Sequence, residues 1–274
     1  MSQPSPEYYI LCEGYHDRAF WYGWFLVNGW KSGRYSKDSR LKDLEHKGGY
    51  SVFSPNNLLA IIVPCEGHTE ILNTFRKEYK RLNNHIRTAL EMGEMPTKYK
   101  FILNVDDDTP GKAKDEDDET ETSPLSHTLH IESVRSKLRA LDPDLREEDG
   151  WFYLLDGQCE VTIVRWQVKA EEASDIPQKQ TLERMVCAAI RAVYAERAET
   201  VNQWLKSRPA PPKETPKEHT WSYMAGWYPE HGCEDFFKTI WRDKGNENGT
   251  IRQKLEEILQ VAGYWGIFEE LSKI

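Results

Sequence analysis

Apolar positions along the chain change period several times, and the order of those changes predicts the fold. Tyr8 to Cys12, Leu58 to Val63 and Lys98 to Val105 are short runs rich in Ile, Leu and Val, which predict buried strands. Between the first two, Asp17 opens a helix whose core face carries Phe20, Trp21, Trp24 and Phe25, and Asn28-Gly29 stops it. Between the second and third, Ile71, Leu72, Phe75, Tyr79, Leu82, Ile86 and Leu90 recur at helical steps until Gly93. The turn-rich stretch Lys31 to Asn57 is an excursion with a short strand at Tyr50 to Phe53. Strand, helix, strand, helix, strand predicts a right-handed, mainly parallel α/β sheet whose strand ends share one edge.

Farther along, a helix is expected at Ile131 to Leu141, stopped by Asp142-Pro143. Two strands, Trp151 to Leu155 and Val161 to Val168, flank Asp156-Gly157. A helical pattern covers Thr181 to Leu205, with Leu182, Met185, Val186, Ala189, Ile190 and Val193 on one face. Ser207 to Pro216 contains four prolines and reads as a linker. Trp221 to Trp241 and Ile251 to Leu271 are aromatic-rich helical segments separated by Gly245 to Gly249. The expected division is an α/β domain over 1–172 and a helical, aromatic-rich C-terminal region over 173–274, with the linker at 207–216.

Charge adds one local feature. The 274 residues carry a formal charge of -9, and Asp115 to Glu121 holds six acids and no base. The stretch 110–125 is therefore expected to be a mobile acidic loop. An acidic total argues against a generally basic nucleic-acid coat but not against a local groove. No apolar run approaches the roughly 20 residues that span a bilayer, and the first residues lack a signal-peptide pattern. Five widely spaced cysteines with no C-x-x-C pair fit a reduced, cytoplasmic setting. Cys65 with His68, and His231 with Cys233, lack the paired spacing of a zinc site.

The chemistry concentrates at Phe101 to Lys112, FILNVDDDTPGK, where a core strand ends in Asp106, Asp107 and Asp108. Three successive carboxylates repel one another, and a divalent cation relieves that repulsion. Alternation along an extended chain puts Asp106 and Asp108 on one side and turns Asp107 away. The first strand ends in Glu13-Gly14, so Glu13 joins the pair if the two strands are parallel neighbours. Cys65-Glu66-Gly67-His68-Thr69-Glu70 also follows an apolar strand, which makes Glu66 the rival to Glu13, although starting from Glu66 leaves one strand too few.

With ILCEG at Ile10 to Gly14, the strand-helix unit from Leu58 to Leu90 and VDDDTPG at Val105 to Gly111, roughly the first 170 residues resemble the Toprim domain. That domain is shared by topoisomerases, primases and the overcoming-lysogenisation-defect (OLD) nucleases. The layout is most similar to the small stand-alone Toprim proteins related to those nucleases. The resemblance implies a Rossmann-like sheet flanked by helices, Glu13 as acid/base carboxylate, and Asp106 and Asp108 as ligands of Mg2+ or Mn2+. It also implies a later acid for a second metal, matched by Glu183, which otherwise reads as a first-turn acid favoured by the helix dipole.

The expected reaction is hydrolysis of phosphodiester bonds in DNA or RNA, in a defence or repair setting implied by analogy alone. Lys112, just past the acidic turn, is a candidate for phosphate contact, its alternative being a solvated loop lysine. Arg76, Lys77, Lys80, Arg81 and Arg87 lie along one helix and are either phosphate contacts or a solvated face. Lys217 and His219 return a base to the site or lie on the surface, and Asp17 supports Glu13 or only caps its helix. Trp221, Tyr223, Trp227 and Tyr228 stack bases or fill core. No GxxxxGK[ST] motif occurs, so a partner ATPase would be a separate chain. Two other readings start from the same acids: a non-catalytic Toprim module binding a protein or nucleotide, and an α/β phosphatase with an aspartate nucleophile.

Overall fold

The computed structural model describes residues 7–33, 48–107, 131–177, 179–209, 216–227 and 232–273. Asp108, Lys112, the acidic loop at 110–125, linker residues 210–215, Tyr228 and His231 lie outside the described residues. The chain divides into two compact units, one of residues 1–105, 129–164 and 272–274, the other of 106–128 and 165–271.

The first unit is built on a sheet in which β1 (Glu7–Cys12), β4 (Leu59–Pro64) and β5 (Tyr99–Asp106) form the parallel centre. These apolar runs are buried almost throughout, as expected of strands covered on both faces. Around them lie β2 (Lys31–Ser32), β3 (Tyr50–Phe53), β6 (Arg146–Glu148), β7 (Trp151–Leu154) and β8 (Cys159–Trp166), in the order β2-β3-β4-β1-β5-β8-β7-β6. The mixed α/β architecture agrees with the sequence. The excursion after α1 (Tyr15–Val27) adds an antiparallel edge through β2 and β3, and β6 adds another beyond β7. Both β2 and β6 are fully exposed and only two or three residues long, so no hydrophobic alternation announces them.

Strand alternation divides the sheet into two faces. The odd-numbered side chains of β1, β4 and β5, among them Tyr9, Leu11, Ile61, Phe101 and Leu103, pack with α2 (His68–Glu91) and α3 (Ile131–Leu141) in one core. Tyr9 stacks on Phe101 at 4.8 Å, and Phe75 meets the same ring edge-on at 4.9 Å. Arg81 is drawn into this layer. Its guanidinium donates to Glu78 at 2.7 and 2.9 Å and to the Tyr9 hydroxyl at 3.3 Å.

The opposite face is covered by α1, where Phe20, Trp21, Trp24 and Phe25 are all buried. Asp17 does not open this helix as its N-cap. Gly14 holds that place, and the Asp17 carboxylate reaches back from the third helical position to accept the Gly14 N–H at 2.9 Å. Beneath α1 lies Asn104, wholly buried on β5. Its carbonyl oxygen accepts the Trp21 indole N–H at 2.8 Å, and its amide donates to the Val164 carbonyl of β8 at 3.2 Å.

In the second unit, α4 (Leu182–Val193) is the buried centre, packed against α5 (Ala195–Ser207), α6 (Pro216–Trp227) and α8 (Ile251–Val261). The helical pattern from Thr181 to Leu205 is two helices rather than one, broken at Tyr194 (φ -126°, ψ 60°). The Tyr194 hydroxyl donates to the Asp243 carboxylate, and the Val193 carbonyl accepts from Asn246 and Asn248 instead of continuing the helix. Downstream come α7 (Cys233–Thr239), α8 and α9 (Trp265–Ser272), with Gly263 at φ 82° separating the last two. No described helix is long and apolar enough to cross a membrane.

Asn104→Ala removes one side chain and orphans a buried indole N–H and a buried carbonyl. The expected loss is about 2–4 kcal/mol of unfolding free energy, read from urea denaturation. Adding Trp21→Phe to Asn104→Ala should cost less than the two single losses summed, because they share one hydrogen bond.

Candidate active site

Parallel pairing sets the C-terminal ends of the central strands level with one another. Cys12 on β1 is in register with Pro64 on β4 and with Asn104 on β5. Glu13 therefore leaves β1 one residue past that line, and Asp106 closes β5 two residues past it. The immediate neighbour of β5 is β1, whereas β4 is one strand farther away. The two glutamate turns are tied together by backbone bonds, since Cys65 N–H donates to Cys12 at 2.8 Å and Gly67 N–H to Glu13 at 3.0 Å. Glu66 is exposed and held at φ 59°, a left-handed conformation, while Glu13 is half-buried. Cys12, just before Glu13, stays a thiol: burial first, then Asp17, pushes its pKa well above the usual range.

The aspartate run splits as it leaves the strand. Asp106 turns to the start of α4, where its Oδ1 accepts the Leu182 N–H at 3.3 Å. There it faces the unsatisfied amides and positive dipole end of the helix, which compensate part of its charge. Thr181 caps the same turn by accepting the Arg184 N–H at 3.3 Å. Glu183 is the next residue of α4 after Leu182 and is only 4% exposed. Asp107 goes elsewhere. It is buried, forms a bridge with Gln180, and its carboxylate accepts a hydrogen bond from Gln167.

One residue that the sequence did not single out holds this corner. Arg184 is 1% exposed and donates to four neutral groups: the carbonyls of Pro177 (3.1 Å), Val168 (3.0 Å) and Ala173 (3.3 Å), and Gln180 Oε1 (3.1 Å). Burial without a carboxylate partner lowers its pKa. Gln180 in turn clamps the Val168 backbone, accepting its N–H at 3.0 Å and donating to its carbonyl at 3.1 Å. Arginine in an amphipathic helix ordinarily reads as a surface residue, and only the loop wrapped over its head reveals this role.

Among the other expected residues, His219 is buried, and its Nδ1 has no hydrogen-bond partner among the described residues. Burial lowers its pKa, against the opposing influence of Asp175 and Glu218, with Arg208 adding to the lowering. The sequence reading of a surface histidine is therefore corrected. Tyr223 is core, and burial raises its pKa, whereas Trp221 is exposed. Among the described residues no group of three or more His, Cys, Asp or Glu side chains is arranged to hold a metal ion. Glu13, Asp106 and Glu183, the described acids that the sequence singles out, each offer carboxylate oxygens, a donor chemistry that suits Mg2+ or Mn2+ better than a softer metal, but they do not form such a group.

A crystal structure of a hypothetical protein from Pyrococcus horikoshii OT3 shares this fold. The TM-score is 0.65, the sequence identity 13%, and the match covers 98% of this chain and 99% of that one. At that identity the likeness concerns the fold alone. No protein-family model and no curated protein sequence matches the chain.

Two outcomes follow from this corner and its helical surroundings. Arg184→Met should lower unfolding free energy by about 2–4 kcal/mol and speed amide exchange at Val168 and Gln180. A loss below about 1 kcal/mol would mean that water satisfies those carbonyls as well as the guanidinium does. His219 has a folded-state pKa below its ordinary 6.5, so the unfolded chain binds the extra proton first as pH falls. Its contribution is complete above about pH 6.5 and is lost progressively below it, and His219→Gln should flatten that part of a stability-against-pH curve.

Proposed function

We propose that the chain is a Toprim-type, metal-dependent nuclease that hydrolyses phosphodiester bonds, with Glu13, Asp106 and Asp108 as its carboxylate set. The observation that carries the proposal is the strand order: Glu13 and Asp106 stand at the C-terminal ends of β1 and β5, which are parallel neighbours. That is the edge at which open α/β sheets keep their sites. Bound Mg2+ or Mn2+ would supply Lewis-acid polarisation of the phosphoryl group and charge neutralisation at the leaving oxygen. Glu13 takes the proton of the attacking water, and half-burial keeps it within reach of solvent for proton return. Asp106 and Asp108 supply hard oxygen ligands, Glu183 is the candidate for a second metal, and Lys112 contacts phosphate. A cytoplasmic setting and a separate ATPase partner belong to the same proposal.

A second reading has its own support. Asp106 accepts a backbone N–H of α4 and Asp107 is buried against Gln167, so part of the acidic edge does structural work. In that reading the chain is a non-catalytic module that binds a protein or nucleotide.

The deciding experiment incubates single- and double-stranded DNA and RNA with the protein and Mg2+ or Mn2+, alongside Glu13→Gln and Asp106→Asn. The proposal expects cleavage by the wild type and a loss of at least about 100-fold in each variant, the scale of a lost acid/base group or metal ligand. Equal activity in all three proteins assigns the cleavage to a contaminant. Calorimetry separates the second reading, which predicts no Mg2+ binding that the Asp106→Asn, Asp108→Asn double variant abolishes.

A further inference from the structure

The outer face of α2 carries a cationic stripe that no described residue pairs with. Arg76, Lys77, Lys80 and Arg87 are all exposed. At 3.6 residues per turn they fall within an arc of about 100°, and Arg76 and Arg87 stand about 16 Å apart along the axis. None of the four makes a hydrogen bond or ion pair with any described residue. Arg81, one turn away, is different because Glu78 holds it inward. In α8, by contrast, Arg252 and Lys254 each have a carboxylate on their own helix, Glu256 and Glu257. On α2 itself the exposed acids, Glu70 and Glu91, lie at opposite ends of the helix and Glu78 in its middle is buried against Arg81, while Asp142, Asp144 and Asp156 flank the stripe where they share a pocket with Tyr79 and Asn83. In a chain of net charge -9, four cations on one helix face, with no partner among the described residues, form a local positive potential rather than an average surface.

We infer that this face of α2 is a docking surface for the phosphate backbone of double-stranded DNA. The inference rests on the nuclease reading only in taking a nucleic acid as the polymer, and it names the surface that would hold it. The helix begins at Gly67, which is hydrogen-bonded to Glu13, so the stripe runs outward from the candidate edge. Duplex is favoured over single strand because no exposed aromatic side chain lies on α2, and single-strand grooves depend on such rings to stack bases. DNA is favoured over duplex RNA because a helix fits the B-form major groove, whereas the A-form groove is too deep and narrow. Exposed Asn73 and Asn84, on the same face as the cations, add hydrogen-bond donors that suit phosphate oxygens.

The test measures binding of a labelled 30-bp duplex (a length of about 3 turns) in EDTA, where metal-dependent cleavage is silent. Arg76→Glu, Lys80→Glu is compared with Lys137→Glu, Arg139→Glu, a pair of exposed residues on α3 that makes the same change in net charge. The wild type should bind with a log–log salt slope of about -3.5, as four phosphate contacts require. The α2 double variant should lose at least about 10-fold in affinity and about 2 units of that slope, and the α3 control should lose far less. No duplex binding by the wild type, equal weakening in the two doubles, or tighter binding of single strands or duplex RNA each overturns the inference. Wild-type duplex binding that depends on the α2 cations, together with absent cleavage when Mg2+ is restored, retains the surface and rejects the nuclease reading. Cleavage that survives in a protein without α2-dependent binding does the reverse.

Discussion

Asn104 is a polar side chain in the most apolar place the sheet offers, and its amide can be accommodated there only if both ends are bonded. The Trp21 indole satisfies the oxygen and the Val164 carbonyl satisfies the nitrogen, so α1, β5 and β8 are fastened through one side chain. An apolar residue would fill the space but leave β5 free to shift against α1. A buried hydrogen-bonded amide tolerates no shift, because displacement by one residue would strand both partners in a region without water. The seat of β5 in turn decides what stands at the edge. Asp106 lies two residues past Asn104, on the same side of the strand by alternation, and its height is set by that amide.

Putting acids at such an edge has an electrostatic cost, and hydrogen bonds from backbone and side-chain amides meet part of it. Asp106 faces the first amide of α4, and Asp107 is drawn off to Gln167 and Gln180. Arg184, for its part, is coordinated by carbonyl oxygens and an amide oxygen of the described residues instead of an acid. A carboxylate supplied to Arg184 would have formed an ion pair inside the corner and cancelled local charge. Carbonyls instead hold the loop from Val168 to Gln180 in shape around the guanidinium.

The core of the fold was legible because it rests on periodicity, which is local. The runs at Tyr8, Leu58 and Lys98 became β1, β4 and β5, displaced by no more than a residue, and the apolar recurrence from Ile71 to Ile86 became the buried face of α2. What escaped notice depends on partners distant in sequence. The edge strands β2 and β6 have no buried face, and they exist because β3 and β7 offer them hydrogen bonds. The break at Tyr194 answers to Asp243, Asn246 and Asn248, some fifty residues later. Of the candidate site, the acids and their strand ends were readable from type and position. The loop wrapped around Arg184 was not, because a run of backbone carbonyls carries no mark in a sequence.

An acidic edge repels a polyanion, so under the proposed nuclease reading attraction has to come from elsewhere on the surface. Spreading cations over the whole surface would bind the polymer in any register. A row of them along α2, whose first residue follows the Gly67 N–H bonded to Glu13, would give attraction a direction relative to the turn at Glu13. The inward turn of Arg81 fits this logic. Its position would extend the stripe around the helix, but its charge is absorbed by Glu78 and Tyr9 into the packing against the sheet, which narrows the positive face to one line. A line of positive charge bounded by Glu70 and Glu91 orients a stiff duplex better than a broad patch does, since a rod lying across it meets fewer cations than a rod lying along it.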